Sequence, residues 1–190
     1  GMILGIVLAA GASRRMGSDK LNLPWRGATV LAATLSRWQA VPEIDELILV
    51  RRPGEAGENR PGLRLLINQS ADEGMGGSLR LAAMALPAAT ELVAVGLADM
   101  PDVNSATIST LIAAAKQPGA KGIIAPVFAG RRGHPVVFAA RYIAELQKLS
   151  GDSGARGLLQ KNAADLALVE VNDPGVVLDI DTPSDLEVQS

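Results

Sequence analysis

The stretch Ile3-Leu4-Gly5-Ile6-Val7-Leu8-Ala9-Ala10-Gly11-Ala12-Ser13-Arg14-Arg15-Met16-Gly17-Ser18-Asp19-Lys20 decides the fold. Its first half, residues 3–10, is apolar apart from Gly5 and is stopped by Gly11, the pattern of a central parallel strand buried on both faces. Its second half is a small-residue loop carrying three cations. Small residues let backbone N–H groups approach phosphate oxygens, while Arg15 and Lys20 can neutralise charge that is costly to desolvate. In outline this is an anion cradle. On composition alone, a Gly/Ser-rich connection with solvated basic side chains fits equally well. The spacing matches neither G-x-x-x-x-G-K-[ST] nor G-x-G-x-x-G, which argues against a Walker A loop and against a dinucleotide fold.

Outward from this stretch, strand-like runs alternate with helix-period segments to the end of the chain, an α/β signature with a mostly parallel sheet. Leu31, Leu35 and Trp38 fall at i, i+4 and i+7 and mark a helix. Strands are expected at residues 47–50, 63–67 and 92–97, and a helix near Ser78 after Gly74, Gly76 and Gly77. Asn104 is placed to cap a helix bearing Ile108, Leu111 and Ile112. Residues 123–127 and 136–138 read as strands joined across the basic turn Gly130-Arg131-Arg132-Gly133. Helices are expected at 142–149 and 154–161, a strand at 168–171 and a last apolar run at 176–180. Thr182-Pro183-Ser184-Asp185 then has the cap, first-turn Pro and first-turn acid of a closing helix.

Composition bounds the function. With 190 residues, 48% hydrophobic and 20% charged, the chain suits one folded domain, expected over residues 2–190, and is too apolar for global disorder. Eighteen Lys and Arg against 20 Asp and Glu give a net charge of −2, which argues against a protein that blankets a nucleic-acid backbone. Any phosphate ligand must be met by a few placed groups. The chain has no Cys and 1 His, so thiolate sites and His-rich zinc sites are excluded, and a reducing, cytoplasmic setting fits. The run at 2–10 is too short to span a bilayer and has no basic flank, so no membrane partner is expected.

Several polar residues stand where chemistry is done. Asp99 follows the apolar run 92–97, at a strand end where open α/β sheets place ligands, although ordinary turn chemistry before Pro101 is the competing reading. Ser78 follows three glycines and either presents its hydroxyl to an anion or simply caps a helix. Asp179 and Asp181 are two apart and on a strand would share a face. His134, flanked by Gly133 and Pro135, could order a ligand or tie two strands by a hydrogen bond. Met75, Met84 and Met100 have no cofactor-box spacing and read as packing residues.

The run from Leu8 to Lys20, followed by Leu23-Pro24-Trp25, resembles the signature loop of the MobA-like nucleotidyltransferases. Further blocks match in the same order: Gly74-Met75-Gly76-Gly77-Ser78-Leu79, Leu97-Ala98-Asp99-Met100-Pro101, Arg132-Gly133-His134-Pro135, Gly151-Asp152-Ser153-Gly154-Ala155-Arg156 and Asp179-Ile180-Asp181-Thr182-Pro183. The combination is similar to the molybdenum cofactor cytidylyltransferase branch. It implies a single three-layer Rossmann-like domain of the GT-A type. It also implies that Leu8, Ala9, Ala10, Gly11, Ser13, Arg15, Lys20, Ser78 and Asp99 bind the nucleotide, with Arg15, Lys20 and Asp99 catalytic. Asp99 and Asp179 would hold Mg2+. Arg132, His134, Asp152, Arg156, Asp179 and Asp181 would bind the acceptor.

The reaction so implied joins CMP from CTP to the phosphate of molybdenum-molybdopterin, releasing pyrophosphate. Ala9-Ala10-Gly11 is similar to the cytidylyl branch, whereas the guanylyl branch resembles a loop with a second glycine at position 10. GTP use, another phosphorylated acceptor and a non-catalytic cofactor escort are the alternatives. A downstream molybdoenzyme or its maturation chaperone is the protein partner the resemblance allows. A site carboxylate contributes little to a core, so Asp99→Ala is expected to abolish turnover with a smaller effect on folding.

Overall fold

The apolar run that opens the chain is a strand with neighbours on both sides, and the rest of the sheet is laid down around it. The computed structural model describes residues 1–9, 20–55, 58–70, 74–151 and 154–180. In chain order these form β1 (Met2–Leu8), a 3-10 turn (Lys20–Asn22), β2 (Pro24–Trp25), β3 (Ala28–Thr29), α1 (Val30–Gln39), β4 (Glu46–Arg51) and β5 (Leu63–Ile67). There follow α2 (Met75–Met84), β6 (Thr90–Leu97), α3 (Ser105–Lys116), β7 (Ile123–Phe128), β8 (Arg131–Arg132) and β9 (Val136–Ala139). The chain continues through α4 (Ile143–Leu146), α5 (Arg156–Lys161), β10 (Leu166–Glu170) and a 3-10 turn (Pro174–Val177).

The main sheet has the order β10-β7-β9-β6-β1-β4-β5, with β8 paired to β7. Pairings β1–β4, β1–β6, β4–β5 and β7–β10 are parallel, while β9 is antiparallel to both β6 and β7. The single α/β domain with a mostly parallel mixed sheet is therefore as expected. From β1 the chain adds β4 and β5 on one side and then β6 on the other. The strand order thus reverses at the β1–β6 boundary, where such sheets open a crevice beyond their carboxyl ends.

Alternation along β1 builds the three layers. Ile3 and Val7 join Leu31, Leu35 and Trp38 of α1 and Ile108, Leu111 and Ile112 of α3 in one core cluster. Leu4, Ile6 and Leu8 join Leu79 of α2, Leu146 of α4 and Leu158 of α5 in the other. Gly5 serves this packing rather than interrupting it. A Cβ there would lie 3.2 Å from the Trp38 ring, and one on Gly96 of β6 would lie 2.3 Å from it, so the two glycines make room for the indole.

Several elements depart from the sequence reading. Residues 131–132 are a short strand returning on β7 rather than a plain turn. The helix expected at 142–149 is a 3-10 turn (Ala140–Tyr142) plus the four residues of α4. The apolar run 176–180 is no strand: it begins in the 3-10 turn and continues as irregular chain, because its backbone groups bond to loops instead of a ladder. The closing helix expected after Thr182 lies outside the described residues. No helix among the described residues is long and apolar enough to cross a membrane.

At the end of the sheet away from the crevice, the Asp165 carboxylate accepts from Gly122 N (2.9 Å), Arg141 Nη2 (2.7 Å) and Tyr142 Oη (2.6 Å). The Tyr142 hydroxyl, the Gly122 amide and Arg141 all favour the ionised form and hold this carboxyl at about 2. A depressed carboxyl pKa stabilises the fold fully above the ordinary value near 3.8 and loses that contribution as pH falls towards 2. Urea unfolding of Asp165→Asn against the parent is expected to show its largest stability gap at neutral pH, closing between pH 4 and about 2. A gap independent of pH would refute the assignment.

Candidate active site

Lys20 and Asp99 meet at the reversal point. Lys20 opens the turn that follows the first loop, and Asp99 follows β6, the strand beside β1. Backbone bonds carry the pairing past the strand ends: Ala98 N donates to Leu8 O at 3.0 Å and Ala9 N to Val50 O at 2.8 Å. The Thr34 hydroxyl of α1 donates to Ala98 O at 2.8 Å and ties the helix to this turn. Lys20 Nζ donates to Asp99 Oδ2 at 3.1 Å, with the lysine side chain 2% exposed and the aspartate 19% exposed. Burial pushes the Asp99 carboxyl above its ordinary pKa; Lys20 opposes the shift and the neighbouring charge of Asp179 adds to it.

At the carboxyl ends of β1 and β6, lined by Leu8 and Leu97 but by neither Lys20 nor Asp99, lies a cavity of about 370 Å³. Its floor is apolar, with Leu8, Leu79, Val95, Phe138 and Leu159, and its polar members are Arg132, His134 and Arg156. Arg132 and Arg156 are exposed, and His134 is half-buried on a cis His134–Pro135 peptide. Burial and then the Arg132 guanidinium hold the imidazole pKa below its usual value, partly offset by Asp179, and so favour the neutral ring. Arg131 does not line the cavity, since successive residues on a strand face opposite ways.

The expected site residues therefore fall into groups. Leu8, Arg132, His134 and Arg156 line one cavity, Lys20 and Asp99 are bonded, and the exposed Asp179 adds its charge to both Asp99 and His134. Ala9 is buried just past β1. Ser78 is placed differently. α2 starts at Met75 with Gly74 as its cap, so Ser78 lies one turn in, fully buried, with Oγ accepting from Asn68 Nδ2 at 2.8 Å. Ala10, Gly11, Ser13, Arg15, Asp152 and Asp181 lie outside the described residues.

Met75 packs against the second core cluster, as its spacing suggested, and also lines the cavity. One feature was missed in the sequence. Asp173 is 3% exposed and bonds to α3; the Asp173-Pro174-Gly175 turn signature was its available signal. Among the described residues, no group of three or more His, Asp or Glu forms a metal cage. The donor set still fits a hard divalent ion, which uses one or two carboxylates and completes its shell with substrate phosphates and water. Asp179 lies close enough to raise the Asp99 carboxyl by its charge, a repulsion that a divalent ion held by the two would relieve.

The comparisons agree with this fold. The chain is 30% identical over 186 residues to the molybdenum cofactor cytidylyltransferase of Escherichia coli (strain K12), covering 95% of this chain and 91% of that one. It is 29% identical over 199 residues to the purine catabolism protein PucB of Bacillus subtilis (strain 168), covering 98% and 95%. Among solved structures, the Rv0371c protein of Mycobacterium tuberculosis H37Rv in complex with manganese superposes with a TM-score of 0.81 at 29% identity, covering 100% and 98% of the two chains. The family described as MobA-like NTP transferase domain matches residues 5–166, and with that span, this sheet order and a Lys–Asp pair at its reversal point, the chain belongs to that family of nucleotidyltransferases.

Proposed function

We propose that this protein transfers CMP from CTP to the terminal phosphate of molybdenum-molybdopterin, giving molybdopterin cytosine dinucleotide and pyrophosphate. The observation that carries the reading is the bonded Lys20–Asp99 pair at the same end of the sheet as an apolar cavity with Arg132, His134 and Arg156 on its wall. The likeness to the E. coli cytidylyltransferase supports the choice of base and acceptor.

An oxygen of the acceptor phosphate attacks the α-phosphorus, and the bond to the β-phosphate bridging oxygen breaks. The attacking oxygen of the acceptor phosphate is already ionised near neutral pH, so alignment and charge neutralisation do most of the work and no base is required. Lys20, with Arg15 from the first loop, meets the triphosphate and the charge that develops on departing pyrophosphate. Leu8, Ala9, Ala10, Gly11, Ser13 and Ser78 shape the nucleotide site. Arg132 and Arg156 bind the acceptor's anionic end, the neutral His134 orders it without taking a proton, and Asp152 and Asp181 complete its site. Asp99 and Asp179 would hold Mg2+, which would supply further neutralisation of the triphosphate. The domain so engaged runs over residues 2–190, acts in the cytoplasm on small molecules alone, and passes its product to a molybdoenzyme or its maturation chaperone.

A thermal-shift panel of CTP, GTP, UTP and ATP with Mg2+ tests the base directly, because a ligand bound only by the folded state raises its apparent stability. CTP is expected to give the largest rise; a larger rise with GTP would replace cytidylyl with guanylyl transfer. Arg132→Ala is expected to raise the acceptor KM about tenfold, as loss of a charge-assisted contact predicts, with little change in the KM for CTP. An unchanged acceptor KM in steady-state assays would remove Arg132 from the site.

A further inference from the structure

Residues 173–180 run as a strap beneath the crevice, fastened at three places. At its start, Asp173 Oδ2 accepts from Asn104 N at 3.0 Å and from the Thr107 hydroxyl at 2.7 Å, both at the beginning of α3. Its Oδ1 accepts from Gly175 N at 2.9 Å and closes the turn. Gly175 is packed so tightly that a Cβ would lie 2.2 Å from Asp102 O. In the middle, Val176 O accepts from His134 N at 2.9 Å, and a Cβ on Gly133 would lie 2.0 Å from that same oxygen. At its far end, Ile180 N donates to Asp99 O at 2.8 Å. Val176 and Ile180 are buried in one core cluster, while Asp179 between them is exposed.

We infer that Asp173 is a positioning residue for the reaction: by locking this strap to the start of α3, it sets where the Asp179 carboxylate stands relative to Asp99 and His134. The inference rests on the proposed role of Asp179 at the metal and acceptor. A carboxylate 3% exposed is expensive to bury unless its bonds are met. Here all three bonds join the strap to itself or to the turn that follows Asp99 and the helix beyond it. The backbone at 176 and 180 is bonded to the two loops that carry His134 and Asp99. A shift of the anchor is therefore passed to Asp179, since no slack remains at Gly175 or Gly133 to absorb it.

The test is a double-mutant cycle on the full chain with Asp173→Asn and Asp179→Asn. It reads Mn2+ affinity in the presence of CTP by electron paramagnetic resonance, acceptor KM, kcat and melting temperature. Loss of an outer partner of a metal ligand weakens metal binding or activity about tenfold. Asp173→Asn is expected to do this to Mn2+ affinity or kcat, with the KM for CTP held within about twofold. In the Asp179→Asn background it should add nothing to these losses while still lowering the melting temperature. Additive losses, or a lowered melting temperature with unchanged Mn2+ affinity and kcat, would overturn the inference and leave Asp173 as a helix anchor only. Should Asp179→Asn alone leave Mn2+ affinity and acceptor KM unchanged, the role of Asp179 fails and this inference falls with it. Thr107→Val, which removes one bond to Asp173, replaces Asp173→Asn if that variant does not fold; the same losses, smaller, are expected, and none would refute the role.

Discussion

Asp99→Asn is expected to lower turnover on the order of 10³-fold, the scale of removing a preorganised charge at the reacting group, measured as pyrophosphate release at saturating divalent ion. Near-parental turnover would sink the metal assignment. Truncation of the same residue to Ala has in addition a folding consequence that the isolated sequence hides. The ammonium of Lys20 is 2% exposed and bonded to Asp99, so removing the carboxylate leaves a buried charge without its partner. Breaking such a pair costs about 3 kcal/mol, the low end of the range because Asp99 keeps part of its side chain in solvent. Asp99→Ala is therefore not a silent substitution in the fold, and urea unfolding should show it. Asn retains an acceptor for Lys20 and is the cleaner choice for separating turnover from folding.

Lys20→Met should weaken CTP binding about 10- to 100-fold, the worth of one or two charge-assisted contacts to phosphate, with Met filling the apolar path of the lysine stem. Calorimetric titration showing unchanged CTP affinity would remove Lys20 from the triphosphate site. The same substitution has a second signature. In the free protein the ammonium occupies Asp99 Oδ2, the atom a divalent ion would seek. Mn2+ titrated without nucleotide should bind weakly to the parent chain and more tightly to Lys20→Met. Equal binding would mean that the ion does not compete with Lys20 for Asp99.

Much of the architecture was legible because strong local signals agreed with one another. The doubly buried strand, the i, i+4, i+7 stripe of α1 and the strand ending before Asp99 each survive in the folded chain. The failures share a cause. Ser78 was placed at a helix start from the glycines before it, but helix geometry begins at Met75, so its hydroxyl is turned into the core against Asn68. The apolar run 176–180 has strand composition, yet Val176 O accepts from His134 N and Ile180 N donates to Asp99 O, so its backbone is bonded to two loops instead of a ladder. Met75 packs against the core as read, and its further place on the cavity wall leaves no mark on spacing.

By itself the sequence determined the layers, the parallel character of the sheet and the positions in the chain at which polar residues would reach its open edge. Hydrophobic period and turn chemistry are local properties, readable one segment at a time. Only the tertiary structure decided which of those residues meet. Lys20 and Asp99 are 79 positions apart and bond because β1 and β6 are neighbours. Arg132, His134 and Arg156 share a cavity because α5 packs on the same face as Leu8. Asp173 and Thr107, 66 positions apart, are joined by a turn that admits only glycine at 175. Such contacts depend on strand order and on space left between elements, and neither is encoded in any single stretch of the chain.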